Sequence, residues 1–235
     1  MKIRRISAVF TKQIKDTLKN KTVLANFILL PLMTLVLTQA MGKNLSEMPD
    51  NYFVIMFSAM YVGMIPLMNS AAIIGEEKEK NTLRTLIMAN VKPMEYLIGI
   101  ALFIVFASSL GALAMALIGG ISGMKLIMYM GVMILGSFAS YFIGCGIGIM
   151  SQNQMSATSI ATPFMLLFSF LPMLSMFNKT IESIAKFSFT QQIYSLLQDL
   201  TPSNFTPDKF AIIFINIIIF IIFFVYAYRK SRLAD

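Results

Sequence analysis

With 235 residues, 57% apolar side chains, 13% charged ones and a mean hydropathy of +0.75, the chain carries more apolar surface than a soluble domain of this size can bury. These values exclude a soluble globular protein and define an all-α integral membrane protein. The net charge of +8 is read as membrane topology and contact with the lipid bilayer, and no nucleic-acid partner is expected.

In the lead segment 1–21, Ile3, Ile6, Val9, Phe10, Ile14 and Leu18 recur at helical spacing, with Lys and Arg filling other positions. This pattern predicts a helix lying in the membrane interface. A basic anchor explains it; docking of a partner is a further use. The next apolar run and the triplet TQA at 38–40 superficially resemble a secretory signal, but the lead is too long for an ordinary basic n-region, so the segment is expected to stay as a span.

A bilayer core of about 30 Å takes roughly 20 apolar residues in a helix. Charge-free runs place six transmembrane helices near 22–40, 51–74, 95–119, 126–150, 157–177 and 209–228, all within one transmembrane domain, 1–235. The polar patch SQNQ at 151–154 divides a run too long for one span. Pro31, Pro66, Pro163 and Pro172 punctuate spans one, two and five and offer hinge points. Span three carries Ser108, Ala112, Ala116 and Gly120, and span four carries Gly136, Ser140, Gly144 and Gly148. Two such small-residue stripes predict that these spans pack on each other within the chain. Residues 178–208, with apolar positions broken near 187–190, are expected to form one or two short helices at the outer surface before span six. Cys145 stands alone inside span four, so no intrachain disulfide is possible.

Basic residues near span ends stay in the cytoplasm. Seven lie in the first 21 residues, four in the 75–94 linker and three in the tail, fourteen of 19 on one side. Both termini and that linker are therefore expected to be cytoplasmic, in a multi-pass protein of the cell membrane.

The linker holds the densest charge. Read as a helix over 75–90, it sets Leu83, Leu86 and Ile87 on one face, places Glu76 four residues before Lys80, and gathers Glu76, Glu77 and Glu79 near its N-terminus, where the helix dipole favours acid. Such a helix either plugs a groove on a soluble partner or floats on the inner leaflet.

The chemistry expected of a self-sufficient machine is missing from the sequence. The spans hold no clear interior charge and the chain has no His, which disfavours proton- or ion-coupled carriage. No H-E-x-x-H, Cys/His cluster, G-x-S-x-G or phosphate-binding G-x-x-x-x-G-K-[ST] occurs, so no catalytic or metal residue is assigned and no cofactor is expected on this chain.

The run Glu77-x-Glu79-x-x-Thr82-Leu83-x-x-Leu86, followed by Val91, Glu95 and Gly99, resembles the segment between the second and third spans of ABC-2 type transporter permeases. Their pattern is close to E-x-E-x-G-T-L-x-x-L. Here Asn81 replaces the usual glycine, Asn90 the usual proline, and Pro93 follows three residues later. The resemblance extends to the interfacial lead, the six spans and the short helices before the sixth. It implies a coupling helix at 75–90, using Glu76, Glu77, Glu79, Thr82, Leu83 and Leu86, seated in a cleft of a separate ATP-binding subunit that carries ATP and Mg. It also implies two permease copies, identical or paralogous, and re-entrant helices in the outer segment. The chain is then the membrane half of an ABC exporter, not an enzyme by itself, moving an amphipathic or hydrophobic compound such as an antimicrobial peptide or drug. Gln39, Asn69 and Ser70 are the candidate polar groups of the substrate path. The alternatives are a self-sufficient channel or secondary carrier and a non-transporting immunity or scaffold protein.

Overall fold

A computed structural model describes residues 3–41, 51–82 and 92–231. Among the described residues nine α-helices follow one another: α1 (Ile3–Lys19), α2 (Lys21–Met41), α3 (Tyr52–Glu79), α4 (Pro93–Ile118), α5 (Gly123–Met150), α6 (Gln154–Ser175), α7 (Lys179–Ala185), α8 (Phe189–Gln198) and α9 (Pro207–Lys230), with a 3₁₀ turn at Pro202–Asn204. Six of them, α2 to α6 and α9, are long and apolar enough to cross a membrane, as the hydropathy runs predict. All the named prolines inside α2, α3 and α6 sit in continuous helix.

The central element is α3. Two thirds of its apolar span (67%) is buried inside the chain, against 17% for peripheral α9. Its 28 residues make a rod of about 42 Å at 1.5 Å per residue, longer than the hydrocarbon layer of about 30 Å. The helix therefore continues through residues 75–79, where charge had suggested that the span stops at 74 and a separate helix begins.

Small residues decide what packs on α3: spans three and four do pack on each other, as expected, but the small-residue stripe of span four is not the surface that makes that contact. A Cβ on Gly148 would meet the Ile74 Cβ at 2.9 Å and the Ala71 carbonyl at 3.0 Å, and one on Gly144 would collide with the Ser70 hydroxyl and Leu67 carbonyl. Ser140 Oγ donates to the Val62 carbonyl at 2.6 Å. The small stripe of α5 thus faces α3, the second span, and not α4. Backbone approach, the main source of helix association in lipid, explains the preference: the Leu67 and Ala71 carbonyls line that groove, and Pro66 leaves the Val62 carbonyl without its helical donor, so that Ser140 can supply one. Tyr129 and Ser58 share a 2.6 Å hydroxyl contact, and Tyr141 donates to the Leu97 carbonyl at 2.6 Å, joining α5 to α3 and α4. Each such bond contributes roughly 0.6 kcal/mol.

At the end of the bundle away from α1, Asn178 caps α7 by accepting from the Thr180 and Ile181 amides. The break at 186–188 then turns the chain into α8. Phe189, Ile193 and Leu196 are fully buried, with Phe189 edge-on to Phe220 of α9. Asn216 in α9 donates to the Phe187 carbonyl at 2.9 Å and so fastens the outer segment to the last span.

The close α3–α5 contact yields a signed test. Gly144→Ala is expected to lower stability by about 1–3 kcal/mol through overpacking, while Gly131→Ala, with nothing within 4 Å of its Cβ position, gains up to about 1 kcal/mol of helix propensity. Unfolding in mixed micelles measures both, and equal effects would reject the packing assignment.

Candidate functional site

The charged segment that sequence singled out is a junction of helices. Glu76, Glu77 and Glu79 occupy the last turn of α3, so they stand at a helix C-terminus, where the dipole opposes them, and not at the N-terminus of a new helix as expected. That position costs each about 0.3–1 kcal/mol unless cations answer it. Each of the three is answered by a different group.

Glu77 is buried, with 5% of its surface exposed. Its Oε1 accepts from Lys12 Nζ at 2.5 Å and from Gln13 Nε2, both on α1. Glu76 pairs with Lys80 one turn later; the hydrogen bond and charge of Glu76 raise the Lys80 ammonium above its ordinary value. Glu79 Oε2 accepts the backbone amide of Gln154 at 3.1 Å, capping the N-terminus of α6, where a carboxylate is favoured. Between them Lys78 reaches the Ile149 and Ser151 carbonyls at 2.6 and 2.5 Å, satisfying the open C-terminus of α5. Close approach completes the joint: a Cβ on Gly75 would lie 2.8 Å from the Ala157 Cβ and 2.9 Å from the Asn153 carbonyl.

The helix stops at Asn81, whose φ of 54° is left-handed. Glycine adopts this conformation most readily and asparagine next, which accounts for Asn81 at the position where the resembled pattern has glycine. Thr82 then turns back, and its hydroxyl donates to the Glu77 carbonyl at 3.1 Å. Leu83 and Leu86 lie outside the described residues, as does the second half of the expected 75–90 helix.

Sequence reasoning missed the other half of the joint. In α1 the buried positions are Ile6, Val9, Gln13 and Thr17, a face rotated from the apolar stripe, so that Ile3 and Leu18 remain exposed. Val9 packs where a Cβ on Gly99 would stand, at 2.7 Å. Arg5 pairs at 3.3 Å with Glu95, a carboxylate 1% exposed that also accepts the Lys92 amide at 3.2 Å. The available signal was the polar pair Gln13 and Thr17, repeating at i, i+4 beside Ile6 and Val9. Between α1, the start of α2 and the end of α3 lies an open recess of about 620 Å³, edged by Lys12, Asp16, Glu76 and Lys80.

The candidate path residues are not brought together on a surface. Asn69 and Ser70 are fully buried: Asn69 Oδ1 accepts from Asn26 of α2 at 3.4 Å, and Ser70 Oγ donates to the Pro66 carbonyl at 2.7 Å. Gln39 is exposed near the far end of α2. Among the described residues no three His, Cys, Asp or Glu side chains are grouped to hold a metal, and the junction's chemistry is ion pairing and helix capping.

Six spanning helices with a charged helix junction at one end define a multi-pass membrane protein. The family model described as ABC-2 family transporter protein matches residues 6–229, and the chain belongs to that family. It is thus a membrane transport subunit of the ABC-2 permease type, a class generally not catalytic itself, and membership implies an ATP-binding partner subunit. Comparison with curated protein sequences gave no match.

The Lys12–Glu77 pair is expected to show strong mutual dependence. Lys12→Met leaves a buried carboxylate and should cost about 1–3 kcal/mol, between the values for exposed and fully buried pairs because the Lys12 side chain is 31% exposed. Adding Glu77→Gln should recover part of that loss. A double-mutant cycle on unfolding in mixed micelles reads the coupling, and strict additivity would dismiss the pair.

Proposed function

We propose that this chain is the membrane-spanning half of an ATP-driven exporter in the cytoplasmic membrane. Its termini and the segment after α3 face the cytoplasm, two permease copies, identical or paralogous, assemble with two ATP-binding subunits, and ATP and Mg reside on those partners. The observation that carries this reading is the joint at the end of α3. A partner gripping the 80–92 segment holds a lever whose last turn is bonded to α1 through Glu77, to α5 through Lys78 and to α6 through Glu79. Displacement there reaches several helices at once, as conversion of partner closure into a permease rearrangement requires. The partner must bind the two permease states with different affinity for its closure to shift their populations.

In this reading Glu76, Glu77, Glu79 and Thr82 brace the coupling segment, and Leu83 and Leu86 supply its apolar contact with the partner. Glu77 acts from inside the protein, by holding α1 to α3, whereas Glu76 and Glu79 border the accessible surface. Cargo moves along the apolar exposed face of α2, where Leu32, Met33 and Val36 lie on the outside and Gln39 adds a polar group. That lining suits an amphipathic or hydrophobic compound, such as an antimicrobial peptide or drug. Asn69 and Ser70 contribute to the path through the packing of α2 and α5 on α3.

Because Glu77 is enclosed by Lys12 and Gln13, a lysine at this position would threaten folding, so neutral glutamine is the informative substitution. In liposomes containing the permease and its ATP-binding partner, Glu77→Gln combined with Glu79→Gln is expected to leave ATP hydrolysis in place and reduce ATP-dependent efflux by roughly tenfold, about 1.4 kcal/mol of lost coupling. Undiminished efflux would remove the coupling role. Flux through the chain without ATP or partner would instead establish a channel or carrier, and cargo binding without movement an immunity or scaffold protein.

A further inference from the structure

A second hollow lies under α1, on the side away from the charged recess. It encloses about 340 Å³ between α1, α2 and α4, with Ile14 above, Phe27 and Pro31 on one wall and Phe106 on the other. Small side chains create it: Ala107 and Ala114 of α4 line it where larger residues would fill it. Leu18, Phe106 and Leu110 at its mouth are 65%, 47% and 54% exposed. Since α2 and α4 are spanning helices, the medium outside this mouth is hydrocarbon, and the hollow suits an apolar chain.

The charges beside it specify which chain. The cations of α1 fall into two groups. Arg5 and Lys12 turn inward to Glu95 and Glu77, whereas Arg4, far from the hollow near the start of the helix, and Lys15 and Lys19 are exposed and, among the described residues, in no ion pair. Lys15 and Lys19 are one turn apart, on the ridge of α1 between the two hollows: Lys19 also borders the charged recess, and Leu18, at the mouth of the apolar hollow, sits three residues after Lys15 and next to Lys19. An interfacial helix holds that ridge at headgroup level while its apolar side meets acyl chains. A ligand with an apolar tail and an anionic head would satisfy both features together.

We propose that the hollow beneath α1 binds one anionic phospholipid, with an acyl chain between α2 and α4 and its phosphate against Lys15 and Lys19. The lipid wedges the corner between α1 and α2 and thereby holds α1 against α4, next to the junction described above. The site needs neither the ATP-binding partner nor any particular cargo, so it stands or falls independently of the exporter reading.

Native mass spectrometry of the full-length chain, titrated with phosphatidylglycerol or phosphatidylcholine of identical acyl chains, tests this. Two nearby cations predict a preference of about 30-fold for phosphatidylglycerol. Lys15→Gln should cut that preference by about fivefold, and Lys15→Gln with Lys19→Gln should abolish it while leaving chain binding. Ala114→Phe, at an exposed position that tolerates bulk, should lower the binding of both lipids and keep the preference of any residual binding. Equal binding of the two lipids by the unaltered chain, an unchanged preference in the double lysine variant, or intact binding in Ala114→Phe would each overturn the proposal. So would an Ala114→Phe chain whose dimer content falls while its lipid count holds, because the hollow would then belong to a second copy.

Discussion

A carboxylate held almost entirely out of water at the end of a spanning helix constrains everything around it. A buried carboxylate needs a cation and a further donor beside it, and for Glu77 both Lys12 and Gln13 come from α1. The ion pair itself adds modest stability after desolvation. Its larger effect is positional, because any rotation of α1 or unwinding of the last turn of α3 strands a buried charge. The α1 helix is thereby part of the bundle's framework, with Val9 seated on Gly99 and Arg5 on Glu95.

From that fixed end the stiffness propagates along α3. Close backbone contact with α5 at Gly144 and Gly148, and with α6 at Gly63 and Gly75, leaves no room for the rod to slide without repacking several helices. The periphery is different. Exposed apolar residues cover α2 and α9, so these helices have lipid or other protein as neighbours over much of their surface, α2 resting on α3 and α4 and α9 on α5 and α8. A rigid core with loosely held flanks favours rigid-body displacement over local bending, and the unbroken helices through Pro31, Pro66, Pro163 and Pro172 fit that behaviour.

The six spans and the short helices of the outer segment were legible because hydropathy and helical periodicity are local properties of the chain. Their partners were not. The glycine stripe of α5 announced a close contact but could not name its mate; the one local mark of that mate was Pro66, which frees the Val62 carbonyl for Ser140. The end of α3 was misjudged for a related reason. Charge at 76–79 signals where the bilayer stops, whereas helix termination is set by backbone conformation at Asn81, and the two boundaries differ by a turn. Glu77 stood out in the sequence as one charge of a dense cluster, but its pairing with Lys12, sixty-five positions away, is reported by no local pattern. Gln13 and Thr17 were visible as an anomaly on an amphipathic helix, but only a neighbour at the right height turns such polar residues into contacts.

The left-handed turn at Asn81 gives the joint its direction. An α-helix continuing past residue 79 would carry the following segment farther along the α3 axis, out of reach of α1. Reversing the backbone at 81 lets Thr82 fold back onto the Glu77 carbonyl, so that one residue presents its carboxylate to α1 and its carbonyl to the departing chain. Force applied beyond the turn is then delivered at the peptide unit that anchors α1, and not to a free helix end. Any residue at 81 that resists positive φ would have to straighten this path, separating Thr82 from Glu77 while leaving the ion pair with Lys12 intact. The turn and the ion pair are therefore distinct parts of the joint: the pair holds the helices together, and the turn sets the direction in which the chain leaves them.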